Sequence, residues 1–201
     1  MVDAKNDTLP LVSIMIPTYN RPEMFALTLE SALSQTYPNV EILVTDNSTN
    51  EDTASLMEYY KDEPRVTYLR NREAKSKAEN FAPFETLAKG EYLQWLMDDD
   101  ILAPDKLRRM MDVFLAYPNL TLVTSQRGMI DGEGNDKGIY CPVEGLEGEF
   151  QIFAGEKAGR TLFFSVCNYI GEPSAVLFRG KDLVHHYWRA DSRGYVTLSD
   201  V

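Results

Sequence analysis

Short apolar runs alternate with helical patterns through the first half of the chain. Four runs are short, apolar and bounded by polar or turn residues, which favours buried strands at 11–16, 40–45, 66–69 and 92–97. Between and after them, apolar residues recur at three- and four-residue spacing. This predicts helices ending near 37–39, beginning after Thr49 or Asn50, and covering 74–88 and 105–117. The alternation predicts an α/β fold with a mostly parallel central sheet flanked by helices.

The second half gives weaker patterns. Strands are predicted at 120–124 and 175–179, a hairpin or loop at 129–140, and helical turns at 161–164 and 182–188. The Gly- and Glu-rich residues 141–160 have no clear pattern. We therefore expect a loose tail at 1–10 and one domain at 11–201, which divides into halves at 11–100 and 101–201 and looks truncated at its C-terminus.

Polar side chains follow each of the first four predicted strands, at 18–21, 46–48, 70–72 and 98–100. Because the carboxyl ends of parallel strands meet at one edge of a sheet, these groups should lie together. Open α/β sheets bind their ligands at this edge. A structural protein has no need of such an edge, whereas a nucleotide site does.

Three consecutive acids, Asp98, Asp99 and Asp100, end the fourth strand. Adjacent carboxylates repel one another, and a divalent cation such as Mg²⁺ or Mn²⁺ would hold them ionised. The alternative is a solvated acidic loop at the start of the helix that follows Pro104. A calcium loop is excluded, because its required Gly and Glu positions hold Ala103 and Arg109. No phosphate-binding or dinucleotide-binding glycine motif occurs in the sequence.

Composition narrows the classes of partner. The 201 residues are 44% hydrophobic and 25% charged, as in an ordinary globular domain. A net charge of −11 argues against nucleic acid and against anionic lipid as partners. The polar start and the lack of an 18-residue apolar run predict no signal peptide and no transmembrane segment. Two cysteines make no disulfide framework, so we expect a cytoplasmic protein.

Five sequence blocks together resemble the family 2 glycosyltransferases. They are VSIMIPTYNR at 12–21, LSQTYPNVEI at 33–42, TDNS at 45–48, AKGEYL at 88–93 and DDDILAPDKL at 98–107. The resemblance implies the glycosyltransferase A fold, a Rossmann-like fold of nucleotide-diphospho-sugar transferases. It makes 11–100 the nucleotide-sugar binding half and 101–201 a smaller acceptor-side region.

The resemblance also implies roles for individual residues. The donor nucleotide would be lined by Pro17, Thr18, Tyr19, Asn20 and Arg21. Asp46 would bind the base, Asp98 the ribose, and Asp99 an Mg²⁺ or Mn²⁺ ion on the diphosphate. Asp100 is either a second metal ligand or a support for the acceptor side. Asn80 lies where the family often carries an Arg-Asn pair, but here Glu79 precedes it, which puts a phosphate contact there in doubt.

Late in the chain, TLSDV at 197–201 resembles the block that carries the family's general base, which places Asp200 in that role. Glu172, in NYIGEPS at 168–174, would face the acceptor. The implied function is metal-dependent, inverting transfer from a nucleotide-diphospho-sugar, most naturally a UDP-sugar, to a carbohydrate, glycolipid or glycoprotein acceptor in polysaccharide biosynthesis. The alternatives are a sugar-1-phosphate nucleotidyltransferase and a non-catalytic sugar-nucleotide binding module.

Overall fold

The computed structural model describes residues 9–132, 134–140, 151–165 and 170–182. Up to residue 116 the chain contains β1 (Val12–Thr18), α1 (Pro22–Leu33), β2 (Val40–Asp46), α2 (Asp52–Met57), β3 (Val66–Arg70), α3 (Lys77–Phe81), α4 (Phe84–Leu87), β4 (Tyr92–Trp95) and α5 (Lys106–Ala116). The second half contains β5 (Leu122–Thr124), β6 (Arg127–Ile130), β7 (Asp136–Tyr140), α6 (Gly155–Ser165) and β8 (Val176–Arg179).

Six strands form one sheet in the order β3-β2-β1-β4-β8-β5. β1, β2, β3 and β4 are mutually parallel, and β8 runs antiparallel to both β4 and β5. The predicted α/β fold with a mostly parallel sheet is confirmed. Register aligns the carboxyl ends, since Thr18 pairs with Asp46 and Asp46 with Arg70.

Helices cover both faces of the sheet. Every residue of β1 is buried, and its alternate side chains enter two apolar clusters. Ile14 and Ile16 belong to a cluster with residues of α1 and α5, whereas Met15 belongs to a cluster with α3, α4 and Trp95. The predicted core positions of α5 are all buried: Leu107, Met110, Met111 and Phe114. Trp95, expected in the core, is only 6% exposed.

The helix predicted over 74–88 is instead two short helices. α3 ends at Phe81 and α4 begins at Phe84, with Pro83 between them. Proline has no N–H to continue the helical hydrogen bonds, so the helix breaks at Pro83 even though Ala82 before it keeps helical backbone (φ −52°, ψ −38°). The start of α2 also differs, because its N-cap is Glu51 and not Thr49 or Asn50.

The remaining predictions fare as follows. The hairpin is confirmed as the antiparallel pair β6 and β7, and the turns at 161–164 lie within α6. The turns predicted at 182–188 lie, after residue 182, outside the described residues. Leu9 and Pro10, assigned to the loose tail, accept hydrogen bonds from Asn39 Nδ2 (2.7 Å) and the Tyr37 hydroxyl (2.6 Å). In the part of the chain that the structure describes, no helix has both the length and the apolar composition to cross a bilayer.

Candidate functional site

A tight turn after β1 forms one wall of the site. Asn20 has a left-handed backbone (φ 53°), which asparagine tolerates better than most residues. Its N–H donates to Ser48 Oγ at 2.8 Å, and its side-chain Oδ1 accepts from the Thr49 N–H at 2.9 Å. These bonds fix the turn to the loop that follows β2, and Arg21 comes next in the chain.

Asp98 lies beneath this turn. Its Oδ2 accepts from the Thr18 hydroxyl at 3.0 Å and from the Tyr19 N–H at 3.3 Å. Its Oδ1 lies 2.6 Å from Arg21 Nη2. Burial raises the pKa of Asp98, while the Arg21 charge and the two hydrogen bonds oppose the rise. The structure therefore brings together four residues that were predicted to bind the nucleotide.

The two acids that follow, Asp99 and Asp100, have different surroundings. Asp99 is 46% exposed and its Oδ2 lies 2.7 Å from Arg21 Nη1. Asp100 is half-buried; burial raises its pKa, whereas a hydrogen bond with Ser174 and the charge of Lys106 lower it. Among the described residues, no group of three or more His, Cys, Asp or Glu side chains could hold a metal ion.

Positive charge nevertheless suits Asp98 and Asp99. The Arg21 guanidinium already places positive charge across these two carboxylates. Mg²⁺ typically takes only one or two carboxylates and completes its shell with water and substrate phosphates. The exposed acid, Asp99, is therefore a sufficient protein ligand for an ion that also binds a diphosphate.

Lys106 is a half-buried cation that the sequence patterns did not single out. Its Nζ donates to Ser125 Oγ at 2.8 Å and to the Ala175 carbonyl oxygen at 3.0 Å. Burial lowers the pKa of Lys106 to about 8, and the charge of Asp100 opposes this. Lys106 thus joins the ends of β5 and β8 on the side of the site where Asp100 lies.

Asp46 is fully buried and already hydrogen-bonded. Its Oδ1 accepts from the Ser48 N–H at 2.7 Å, and its Oδ2 accepts from the Tyr68 hydroxyl at 2.7 Å. Arg70 forms an ion pair with the same Oδ2. Burial and the bond to Asp46 raise the pKa of Tyr68. Because the Asp46 side chain is 0% exposed, a base could contact it only if one of these partners moved. Tyr68 and Arg70 are partners that the sequence did not reveal.

Asn80 is buried in the wall between β1 and β2. Its Nδ2 donates to the Thr45 carbonyl at 3.2 Å and to the Thr18 carbonyl at 3.4 Å. Its Oδ1 is buried without a hydrogen-bond partner. Glu79 turns away and accepts from the Lys75 N–H at 2.6 Å. The amide of Asn80 therefore ties together the carboxyl ends of two strands that carry site residues.

Glu172 lies at the rim beside Asp100. It forms an ion pair with Arg127, and its charge raises the pKa of Asp100. Gly171 before it has φ 107°, and a Cβ there would lie 2.7 Å from the Ala175 Cβ, so glycine is needed at this position. Asp200, the predicted general base, lies outside the described residues.

Comparison with known proteins gives concordant results. Residues 13–179 match the family described as Glycosyl transferase family 2. Chondroitin synthase of Escherichia coli is 35% identical over 143 residues, 69% of this chain and 21% of that protein. An Escherichia coli UDP-Glc:alpha-D-GlcNAc-diphosphoundecaprenol beta-1,3-glucosyltransferase is 35% identical over 117 residues, 55% of this chain and 46% of that protein. The chain thus spans less than half of either relative.

Solved structures agree on the fold. A mannosyltransferase from Pyrobaculum calidifontis, in complex with GDP-Man and Mn²⁺, superposes with a TM-score of 0.53 at 25% identity, over 61% of this chain and 37% of that one. Residues 1–349 of TarS from S. aureus, in complex with UDP, give a TM-score of 0.57 over 84% of this chain and 46% of that one. At 17% identity the second likeness concerns the fold alone.

Proposed function

The chain belongs to glycosyltransferase family 2, and from this premise we propose that it transfers a sugar from a nucleotide-diphospho-sugar to a hydroxyl group of a carbohydrate, glycolipid or glycoprotein acceptor. The observation that carries the proposal is the contact of Thr18, Arg21 and Asp98 at the carboxyl edge of the sheet, with Asp99 beside them. Residues from two distant parts of the sequence meet there. Donors bind at this edge in open α/β folds.

In the proposed donor site, different residues contact different parts of the donor. The turn at 17–21 lines the base and ribose, with Asp98 on the ribose side and Asp46 at the base. Uracil offers an N3–H donor to a carboxylate, and guanine offers an N1–H, so Asp46 suits either base. We propose a UDP-sugar as the donor, which agrees with the substrate in the name of the Escherichia coli glucosyltransferase.

Mn²⁺ or Mg²⁺ would be held by Asp99 together with the donor diphosphate. The bound ion would supply charge stabilisation to the diphosphate as it leaves. Asp100, hydrogen-bonded with Ser174 and facing Lys106, would support the acceptor side, where Glu172 orients a hydroxyl. Asp200 would remove the proton of the attacking hydroxyl, so that the sugar is transferred with inversion of its anomeric configuration.

Thermal unfolding with UDP or GDP, each with and without Mn²⁺, tests the donor site. We expect UDP with Mn²⁺ to raise the midpoint of unfolding, because a ligand that binds only the folded chain stabilises it by mass action. Asp99→Ala should abolish the metal-dependent part of the shift. Asp112→Ala, which removes an exposed acid of α5, should leave it intact. A wild-type protein that responds to no nucleotide diphosphate would contradict the proposal.

Product analysis tests the reaction. We expect release of UDP and an inverted glycosidic bond, seen by NMR of the product, when the chain is supplied with a UDP-sugar and a carbohydrate acceptor. Asp200→Asn should retain UDP binding and lose transfer. Nucleotide binding without transfer to any acceptor would favour a binding module, and pyrophosphate release from UTP and a sugar 1-phosphate would favour a nucleotidyltransferase.

A further inference from the structure

One guanidinium contacts two of the three acids in the segment that follows β4. Arg21 Nη2 lies 2.6 Å from Asp98 Oδ1, and Arg21 Nη1 lies 2.7 Å from Asp99 Oδ2. We infer that Arg21 is the resident counter-cation of this acid pair and must release Asp99 before a divalent cation binds there. The inference rests on the proposed function, because it concerns the same donor site.

The acid pair needs a positive charge in the free protein. The side chain of Asp98 is only 4% exposed, and both its burial and the adjacent Asp99 raise its pKa. A buried carboxylate beside a second carboxylate is costly unless a cation is near. Arg21 supplies that cation, because its guanidinium contacts both carboxylates.

Arg21 is also able to leave. Its side chain and that of Asp99 are each 46% exposed, and exposed ion pairs contribute little stability. The Arg21 carbonyl accepts the Phe25 N–H at 2.9 Å, but its side chain makes no capping bond to α1. The guanidinium can therefore move while the start of α1 stays in place.

Asp98 keeps two partners when the guanidinium moves. The Thr18 hydroxyl and the Tyr19 N–H both donate to Oδ2, whereas Arg21 contacts Oδ1. Among the described residues, no hydroxyl or backbone N–H donates to the Asp99 carboxylate in this way. Asp99 is therefore freed when Arg21 departs. The exchange thus opens one carboxylate to a metal ion and leaves the other fixed in the wall of the site.

The released guanidinium suits the donor diphosphate, because arginine forms paired hydrogen bonds with phosphate oxygens. A metal ion offered alone must displace Arg21 without compensation. A metal ion offered with a nucleotide diphosphate gives Arg21 a new anionic partner. Metal and nucleotide are therefore expected to bind cooperatively, and Arg21 is the residue that couples them.

Mn²⁺ titrations followed by the electron paramagnetic resonance of the free ion test this coupling. Without nucleotide, Arg21→Gln is expected to bind Mn²⁺ roughly three- to tenfold more tightly than the wild type, the range set by the loss of two competing ion pairs. Arg109→Gln removes the same charge from an exposed pair with Asp105 and should change the affinity by less than about twofold. Adding UDP should tighten Mn²⁺ binding less in Arg21→Gln than in the wild type.

The Mn²⁺ affinities of the variants separate the inference about Arg21 from the proposed function. The inference is wrong if Arg21→Gln, folded by circular dichroism, binds Mn²⁺ no more tightly than the wild type, or if Arg109→Gln gains as much. In that case Mn²⁺-dependent UDP binding by the wild type would still support the proposed function, and its absence would contradict both. If Arg21→Gln does not fold, Arg21→Lys replaces it in the titration. One ammonium bridges two carboxylates poorly, so Arg21→Lys should bind Mn²⁺ more tightly than the wild type. An affinity equal to that of the wild type would overturn the inference.

Discussion

Three identical residues in a row occupy three different environments. Asp98 is buried under the turn after β1, Asp99 is half exposed, and Asp100 is hydrogen-bonded with Ser174. The sequence predicted an acidic cluster but not this division, because residue identity does not give the direction of each side chain where a strand ends. The environments agree with proposed roles in which Asp99 meets the metal ion and Asp100 supports the acceptor side.

Lys106 should make the stability of the protein depend on pH in an identifiable window. Its pKa falls from 10.5 to about 8 on folding, so between these values the unfolded chain holds a proton that the folded chain has lost. Stability therefore rises with pH across this window, by at most about 3 kcal/mol. Below pH 8 both states are protonated, and this contribution is flat.

Lys106→Met lacks the titrating group, so the wild type should gain stability over it as pH rises from 8 to 10. The measurement is the free energy of unfolding in urea at several pH values. Parallel pH profiles for the two proteins would show that Lys106 keeps an ordinary pKa in the folded state.

At the scale of elements, a polar stripe on α1 holds the irregular segment that follows the acids. Thr28 Oγ1 donates to the Asp100 carbonyl at 2.9 Å, and Ser31 Oγ accepts the Leu102 N–H at 3.1 Å. Gln35, just past the helix, bonds the Ala103 carbonyl and the Leu107 N–H. Side chains of α1 thus satisfy buried backbone groups of a segment that makes no ladder of its own.

Gln35→Met should lower the free energy of unfolding strongly, although the change in side-chain volume is small. The new side chain fills a similar volume but leaves the Ala103 carbonyl and the Leu107 N–H without their partner, at a cost of about 2–4 kcal/mol. Urea denaturation measures the loss. Ser34→Ala removes an exposed hydroxyl that bonds Glu30 of the same helix and should cost less than about 1 kcal/mol. Similar losses for the two variants would contradict this role of Gln35.

Apolar periodicity predicted the strands and the core positions of α5 because burial of those residues dominates their energetics. It missed the break at Pro83, where a local backbone constraint outweighs a helical pattern. It also missed the burial of Thr28, Ser31 and Gln35, because a polar stripe on a helix is typical of a solvated face. Their burial depends on a segment about 70 residues away along the chain, which no local pattern reveals.

Across the whole molecule, the two edges of the sheet have separate roles. The amino edge is closed by hydrogen bonds among three strands: Gly90 N–H donates to Ser13 Oγ at 2.8 Å, and Glu41 accepts from Ser13 and from the Lys89 N–H. A Cβ at Gly90 would lie 2.5 Å from the Ser13 nitrogen. This close approach holds β4 against β1 at the edge opposite the proposed donor site.

Gly90→Ala should therefore lower the free energy of unfolding by about 2–3 kcal/mol, as overpacking against backbone does, and leave the affinity of the folded protein for UDP and Mn²⁺ unchanged. Denaturation and calorimetric titration measure the two effects separately. Gly128→Ala is the matched control, because a Cβ there meets nothing within 4 Å. A loss of affinity in Gly90→Ala would show that the two edges are coupled.

The edge that carries the site was predicted from the sequence, since polar residues end each parallel strand. The side-chain pairings at this edge were not predicted. Tyr68 and Arg70 of β3 bind Asp46, and Lys106 joins β5 to the residues before β8. Such contacts depend on strand order and on the antiparallel course of β8, which the alternation of elements leaves undetermined.

The reversed direction of β8 has a consequence for how new specificities arise. β5 ends and β8 begins at the same edge, where the Ser125 N–H donates to the Ala175 carbonyl at 3.1 Å. The described strands that lie between them along the chain, β6 and β7, pair with each other and not with the six-stranded sheet, so an exchange of this hairpin would leave the strand order unchanged. Because Arg127 of β6 forms an ion pair with Glu172, exchange of this hairpin between relatives would change residues beside the proposed acceptor side and leave the strands of the proposed donor site in place.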